Sequence, residues 1–459
     1  MEGRIGTAEA ARKLGIKPES LYAYVSRGLL TRERGPDGRT SWFDPAEVAR
    51  LAARSRHPRP PRQGGAELAI ESALTTIEGG RLWYRGCDAT RLATDHPFER
   101  VAWLLWTGTL PGTTTDPRQH PWPGSWSRSW HAGQSGVAVG SAAQAALPPG
   151  TLPLERLRVI AAALATTDAL RFELNPTAVL ATASSLLTGL VECLPSPVDN
   201  ASTPPLESDR LTSGGPPGRG AASISMPISM PISIAARLWG KLCAAPPHPD
   251  FVALLDDALV LLADHELAAS TLAARVAASV RADPYAVVSV GLGAVSGALH
   301  GAVSLAVEDL LAEVGGPAAA KAAARAEAAA ARAVGERLRR GERLRGFGLA
   351  LYPDGDPRAA FLLERLRAIG GGAAASARLA AVEAVLDTTR RLGLPPPNVD
   401  FALGALAMVT GMIRGAGEAI FAVARTAGWL AHALEEYDRG QPLRPRALYT
   451  GPPPAADAT

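Results

Sequence analysis

The chain has 459 residues, 47% hydrophobic and 20% charged, the profile of a soluble globular protein long enough for two or three domains and a sizeable core. Cys87, Cys193 and Cys243 lie far apart with no C-x-x-C pair, so neither a zinc site nor a disulfide framework is suggested, and the cytoplasm is the expected compartment. No uninterrupted apolar run reaches 18 residues and "MEGRIGTAEAARKLG" has no hydrophobic core segment, so neither a membrane span nor a signal peptide is expected. The net charge of +3 is unevenly placed. Residues 1–62 carry 13 Lys and Arg against 7 Asp and Glu, or +6, and the remainder 34 against 37, or −3. A basic head on a nearly neutral body suggests a nucleic-acid-binding appendage, although a solvated basic surface would give the same balance.

In chain order, Thr7 is placed to cap a helix through "AEAARKLG", which Gly15 ends, and Pro18 opens a second helix, "PESLYAYVSRG". Asp37-Gly38 is a hairpin turn signal within "TRERGPDGRTSWF", and Asp44-Pro45 starts a further helix. Residues 56–65 fall in a Pro/Arg/Gly-rich linker. Beyond it, "ALTTIEGGRLWYRG" reads as a small hairpin turning at Glu78-Gly79-Gly80. The rest is helical in pattern, with period-3.6 runs over 150–192, 235–280, 285–313, 317–341, 357–392 and 400–436. Residues 194–233, with their tandem Ser-Met-Pro-Ile repeat, read as a low-complexity excursion between helices.

Three polar clusters interrupt the apolar helices. "LLADHELAAST" places Asp264, His265 and Glu266 in one helical turn, "SGALHGA" leaves His300 between glycines at a helix start, and "PPPNVDF" puts Asp400 at a helix N-terminus. Each also reads as an ordinary cap, core histidine or charged turn. Arg425, Arg444 and Arg446 supply carboxylate or phosphate binders late in the chain. "LRGFGLALYPDGDPRA" pairs two glycines, which fits a phosphate cradle or a plain turn, yet its crown is the apolar Leu349, Ala350 and Leu351.

The head's order of helix, turn, helix, wing and helix resembles the MerR-type and excisionase-like winged helix-turn-helix domains over residues 1–55. That resemblance places Ser20, Tyr22 and Tyr24 on a recognition helix and Arg32, Arg34 and Arg39 on a wing that would meet DNA phosphates. Residues 66–453 resemble the citrate synthase family, on "TTIEGGRLWYRGCDATRLATDHPFERVAWLLWTGTLP" and "FAVARTAGWLAHALEEYDRGQPLRPRALYTGP". The implied fold is mainly α, with large and small domains around a cleft that closes on substrate; residues 454–459 are a tail. The implied chemistry joins acetyl-CoA to oxaloacetate with no permanently bound cofactor and no metal. Carried across, Asp400 is the base and His300 the donor to the thioester oxygen. His265, Arg358, Arg425 and Arg444 hold the oxoacid, Arg444 entering from a neighbouring subunit, so a homodimer is implied.

The sequence departs from the family pattern at its loop. Where the family reads Gly-Phe-Gly-His-Arg-x-Tyr, Leu349 takes the place of the histidine that polarises the oxoacid carbonyl, and Ala350 that of the arginine. Ala402-Leu403 replace Tyr-Ser, and Gly301-Ala302-Val303-Ser304 replace Gly-Gly-Ala-Asn. Three readings stay open: a condensing enzyme with impaired or altered activity, a DNA-binding regulator whose inactive body senses a metabolite, and a structural subunit forming hetero-oligomers with an active paralogue.

Overall fold

A computed structural model describes residues 4–14, 21, 25, 30–34, 40–49, 69–110, 130–197, 233–315 and 323–447. The chain divides into two compact units, Met1–Ile70 and Glu71–Thr459. The first holds an antiparallel sheet of β1 (Ile5–Gly6), β2 (Arg32–Arg34) and β3 (Ser41–Phe43) in the order β1-β3-β2, with helix α1 (Thr7–Leu14) following β1. Arg32 pairs with Phe43 and Arg34 with Ser41, and the Asp37-Gly38 turn signal between these strands lies outside the described residues. Ala10, Leu14, Leu21, Leu30, Phe43 and Val48 form its small core. Asp44 Oδ1 accepts from the Ala46 amide at 2.7 Å and starts the helical turn at 45–49.

Two details differ from expectation. Strand β1 is only two residues long, too short for an alternating pattern to announce it, and Thr7 is the first residue of α1 rather than its flank. Ser20, Tyr22, Tyr24 and Arg39 lie outside the described residues, as do the linker 56–65, residues 198–232 of the low-complexity segment and the tail 454–459.

The second unit opens with the hairpin β4 (Thr75–Glu78) and β5 (Arg81–Tyr84), to which β6 (Cys87–Asp88) adds a strand the sequence did not announce. Helices follow: α2 (Ala89–Asp95), α3 (Phe98–Thr107), α4 (Gln134–Ala145), α5 (Pro153–Ala165), α6 (Pro176–Glu192), α7 (Ile234–Leu242) and α8 (Pro249–Leu262). Then come α9 (Ala269–Ser279), α10 (Pro284–Val295), α11 (Ala302–Val314), α12 (Ala323–Arg339), α13 (Pro357–Ala368), α14 (Gly372–Arg391), α15 (Val399–Thr410) and α16 (Ala416–Arg439). Most of the long periodic runs are therefore pairs or triplets of helices. The breaks carry a physical signature: Pro176, Pro249, Pro284 and Pro357 sit at first helical positions, where their missing N–H costs no hydrogen bond.

Helix α16 is the axis of this unit. It is buried over nearly all its length and packs against α3, α5, α6, α8, α9, α10, α11 and α15. A helix buried on every side has no solvent face, and here each side meets another helix, so its Glu418, Arg425, His432 and Glu436 are buried as well.

The segment "ADHELA" between α8 and α9 is not a helical turn, contrary to the periodicity. Glu266 has φ +51°, the left-handed region that a β-carbon disfavours. The hairpin holds it there: Thr75 Oγ1 donates to Asp264 Oδ2 at 2.5 Å, the Ile77 amide to Glu266 Oε1 at 2.9 Å, and Tyr84 Oη to the Asp264 carbonyl at 3.0 Å. Gly428 of α16 lets the break approach, because a β-carbon there would collide with the Ala263 carbonyl and Asp264. Local propensity yields to contacts nearly 190 residues away in sequence.

Candidate active site

A cavity of about 460 Å³ is lined by His265 from the α8–α9 break, His300 before α11, Asp400 in the first turn of α15, Arg358 of α13, Arg425 of α16 and the loop 343–351. Each arrives for a local reason. Asn398 caps α15, its Oδ1 accepting from the amides of Asp400 at 3.0 Å and Phe401 at 3.4 Å. Asp356 caps α13 and also accepts from the Val399 amide at 3.0 Å, tying the start of α15 to that of α13. Asp400 is thus carried by a helix end fixed on two sides.

The loop is equally well anchored. Gly346 and Gly348 have φ +83° and +71°, and a β-carbon at Gly346 would come within 2.5 Å of Val307 and 3.2 Å of Phe401. The Gly348 amide donates to the Pro396 carbonyl at 2.8 Å, the Asn398 amide to the Gly346 carbonyl at 2.9 Å, and Phe347 bridges to Pro397. The glycine pair is therefore a close-packed turn clamped to the proline run. Leu349 is half-buried in the cavity wall, and Leu351 is exposed.

The charges divide into held and offered groups. Arg358 grips Asp356 through Nε at 2.9 Å and Nη2 at 2.8 Å, a buried bidentate pair. Arg425, only 1% exposed, donates Nε to the Leu262 carbonyl at 2.8 Å, and its guanidinium lies 4.6 Å from the Phe421 ring centre. Its terminal amino groups have no partner among the described residues, so burial, only partly offset by Asp264, works against its charge. Such a site attracts an anion strongly.

Asp400 Oδ1 accepts from Ser304 Oγ at 2.9 Å. Burial pushes its carboxyl up to about 6, against the pull of Ser304, Arg358 and Arg425. It is ionised at pH 7 yet far more basic than an exposed carboxylate. Burial, reinforced by Arg425, lowers His300 to about 4. Burial, then Arg358, Arg425 and His300, takes His265 well below its ordinary value. Both imidazoles are neutral at pH 7 and act there as oriented dipoles. His300 Nε2 lies 2.8 Å from Ser270 Oγ, and His265 Nε2 lies 2.9 Å from Tyr352 Oη.

Behind the break runs a buried network: Asp264 Oδ2 meets His432 Nε2 at 3.2 Å, His432 Nδ1 meets Arg275 at 2.6 Å, and Arg275 meets Glu435 and Glu436. Asp264 stays below the usual carboxylate range although burial alone would raise it, because His432, Arg425 and Thr75 favour its charge. This network fixes the backbone beside His265.

Five of the expected residues, His265, His300, Arg358, Asp400 and Arg425, come together in one cavity. Arg444 does not; it is exposed on the segment after α16. Sequence reasoning missed Asp356, Asn398, Ser304, Ser270 and Tyr352. Asp356-Pro357 and Asn398 carry ordinary N-cap signals, and Ser304 lies four residues from His300, whereas nothing local marks Ser270 or Tyr352.

A mainly helical body sets a basic carboxylate, two neutral imidazoles and a buried guanidinium, its terminal amino groups without a partner among the described residues, around one cavity, an arrangement chemically able to hold an anion beside a group that can accept a proton. The chain belongs to the citrate synthase family: the sequence profile of the citrate synthase C-terminal domain matches residues 65–446. It is 31% identical over 399 residues to a citrate synthase of Haloferax volcanii, covering 84% of this chain and 94% of that one. It is 27% identical to 2-methylcitrate synthase 1 of Corynebacterium glutamicum, covering 82% and 90%. A match to citrate synthase 2 of Bacillus subtilis, 32% identical over 209 residues, spans about half of that protein, 53% of its length. Among solved structures, the ternary complex of Thermoplasma acidophilum citrate synthase with carboxymethyl coenzyme A and oxaloacetate has the same fold, with TM-score 0.63, 23% identity and coverage of 85% and 96%. Among the described residues no helix is long and apolar enough to cross a membrane.

Proposed function

We propose that this chain condenses an acyl-CoA, acetyl-CoA in the simplest case, with a 2-oxo dicarboxylic acid such as oxaloacetate. The observation carrying this reading is Asp400, whose half-buried carboxylate, raised to about 6, shares a cavity with neutral His300 and with the Arg425 guanidinium, whose terminal amino groups have no partner among the described residues. Asp400 takes a proton from the carbon next to the thioester, and His300 donates a hydrogen bond to the thioester oxygen as negative charge grows there. Arg425, with Arg358 and His265, binds the dicarboxylate, and Arg444 of a second copy completes the cradle in a homodimer. Large and small domains close over the pair and exclude water. Leu349 slows the reaction or alters the oxoacid, because it offers the substrate carbonyl no donor.

The test is release of free CoA by the purified chain given acetyl-CoA or propionyl-CoA with oxaloacetate. Release should fall away below about pH 6 as Asp400 takes up a proton. Asp400→Asn should reduce it about 10²- to 10⁴-fold without unfolding the protein. An unchanged rate in that variant would remove Asp400 from the mechanism.

A second reading, a DNA-binding regulator whose inactive body senses a metabolite, is favoured by the basic head and its small sheet, with Arg32 and Arg34 at the ends of β2. Deleting residues 1–65 should abolish retention of DNA in a low-salt gel shift. Retention by residues 66–459 alone would contradict it.

A further inference from the structure

Leu349 leaves a chemical gap that the rest of the cavity can be searched to fill. Carbon–carbon bond formation at a ketone needs a donor on the ketone oxygen, since negative charge collects there as the bond forms. Several lining groups already have other work. Asn398 uses its oxygen as the cap of α15, and its Nδ2 points to the Gly348 carbonyl at 3.3 Å. Arg358 and Arg425 are charged, and the two carboxylates of the oxoacid are their natural partners. His300 is assigned to the thioester.

His265 remains. It is 9% exposed, lines the cavity, and sits on a break pinned by the hairpin on one side and by the Asp264–His432–Arg275 network on the other. Its Nε2 is taken by Tyr352 Oη at 2.9 Å. Its Nδ1 has no partner among the described residues. Tyr352 Oη has His265 as its one hydrogen-bond partner among the described residues, and the Arg358 guanidinium lies 5.6 Å from its ring centre, against its face. A neutral imidazole carries one proton. If the phenol donates to Nε2, that proton sits on Nδ1 and is offered to the cavity.

We infer that His265, with its tautomer set by Tyr352, donates Nδ1–H to the ketone oxygen of the bound 2-oxoacid and replaces the polarising side chain absent at position 349. This rests on the condensation reading and deepens it. His265 is the catalytic residue here, and Tyr352 is a positioning residue that acts through it. Burial keeps the phenol protonated, with its ionisation pushed up to about 12, so the arrangement holds across the physiological range. Tyr352 belongs to the same loop as Leu349: its amide donates to the Leu349 carbonyl at 2.9 Å. The loop that lost one donor thereby supplies the group that orients another.

The experiment is infrared difference spectroscopy of oxaloacetate labelled with carbon-13 at the ketone and bound to the full chain, with calorimetry on the same samples. The ketone band of the wild-type complex should lie below that of the free ligand. His265→Ala should abolish this displacement, with binding weakened by no more than about tenfold, the scale of one hydrogen bond. Tyr352→Phe should split or shrink it while retaining binding. A displaced band that survives unchanged in His265→Ala would overturn the inference and assign the role to another group of the cavity. An undisplaced band in a wild type that binds oxaloacetate would overturn it too, leaving the condensation reading in place. Absence of oxaloacetate binding to the folded wild type would overturn this inference and, with it, the condensation reading for oxaloacetate.

Discussion

Two irregular segments meet in the cavity wall, where His265 Nε2 lies 2.9 Å from Tyr352 Oη, and they present different groups to it. The "ADHELA" break keeps both its anchors and its polar group: the hairpin and the Arg275 network hold it, and His265 faces the ligand space. The loop 343–356 keeps its anchors, namely the Gly346 contact with Val307 and Phe401, the bonds to Pro396 and Asn398, and the Arg358–Asp356 pair. Its tip, however, presents Leu349. The difference separates scaffold from chemistry. Leu349 brings no side-chain donor or acceptor to the cavity wall, so the two segments differ in hydrogen-bonding capacity and not in how firmly each is anchored.

The largest expected departure comes from restoring that capacity. Leu349→His combined with Ala350→Arg should raise the condensation rate by up to about 10²-fold, since one oriented donor in such a site is worth that order. Oxaloacetate affinity should change by less than tenfold. The double variant should also depend less on His265, a comparison readable from CoA release in the combined triple variant. An equal gain in affinity and rate would mean that Leu349 obstructs binding instead.

Next in size is the cationic side. Arg425→Ala should weaken oxaloacetate binding by about 1.5 to 3 kcal/mol, the scale of a charge-assisted hydrogen bond, as measured by calorimetry. Unchanged affinity would show that the buried guanidinium serves only the fold.

A third departure works through the base. Because the folded-state value of Asp400 is about 6, above the ordinary 3.8, the ionised form is the disfavoured one in the folded protein. Its contribution to stability therefore falls as pH rises from about 4 to 6 and stays low above that. Asp400→Asn should melt at a higher temperature than wild type at pH 8 and close to it at pH 4.5, with a stability gain of about 1 to 3 kcal/mol at the higher pH. A gain independent of pH would contradict the assignment. The smallest effect belongs to the other segment: Thr75→Val removes one bond to Asp264 and should cost about 1 kcal/mol in denaturant unfolding, with oxaloacetate binding weakened a few-fold.

The same two segments show what the sequence disclosed. His300 and Asp400 stood out beside helix starts marked by glycine, proline or asparagine, but that local signal fits an ordinary cap or core histidine, and only the family resemblance gave them roles. The break at Asp264 was hidden, since "LLADHELAAST" continues the apolar period across it and the forces that bend it come from Thr75, Ile77 and Tyr84. Tyr352 and Ser270 were hidden for the same reason, as their importance lies in which imidazole each meets. Among the head's expected DNA contacts, Arg32 and Arg34 fall on a strand, while the recognition-helix positions lie outside the described residues.

The most direct test of the account is to follow free CoA and oxaloacetate binding together on the wild-type chain between pH 5 and pH 8. The account predicts saturable oxaloacetate binding across this range, with CoA release that is slow, lost in Asp400→Asn, and rising with pH through about 6. Oxaloacetate binding with no CoA release at any pH would contradict it and leave the body as a metabolite sensor.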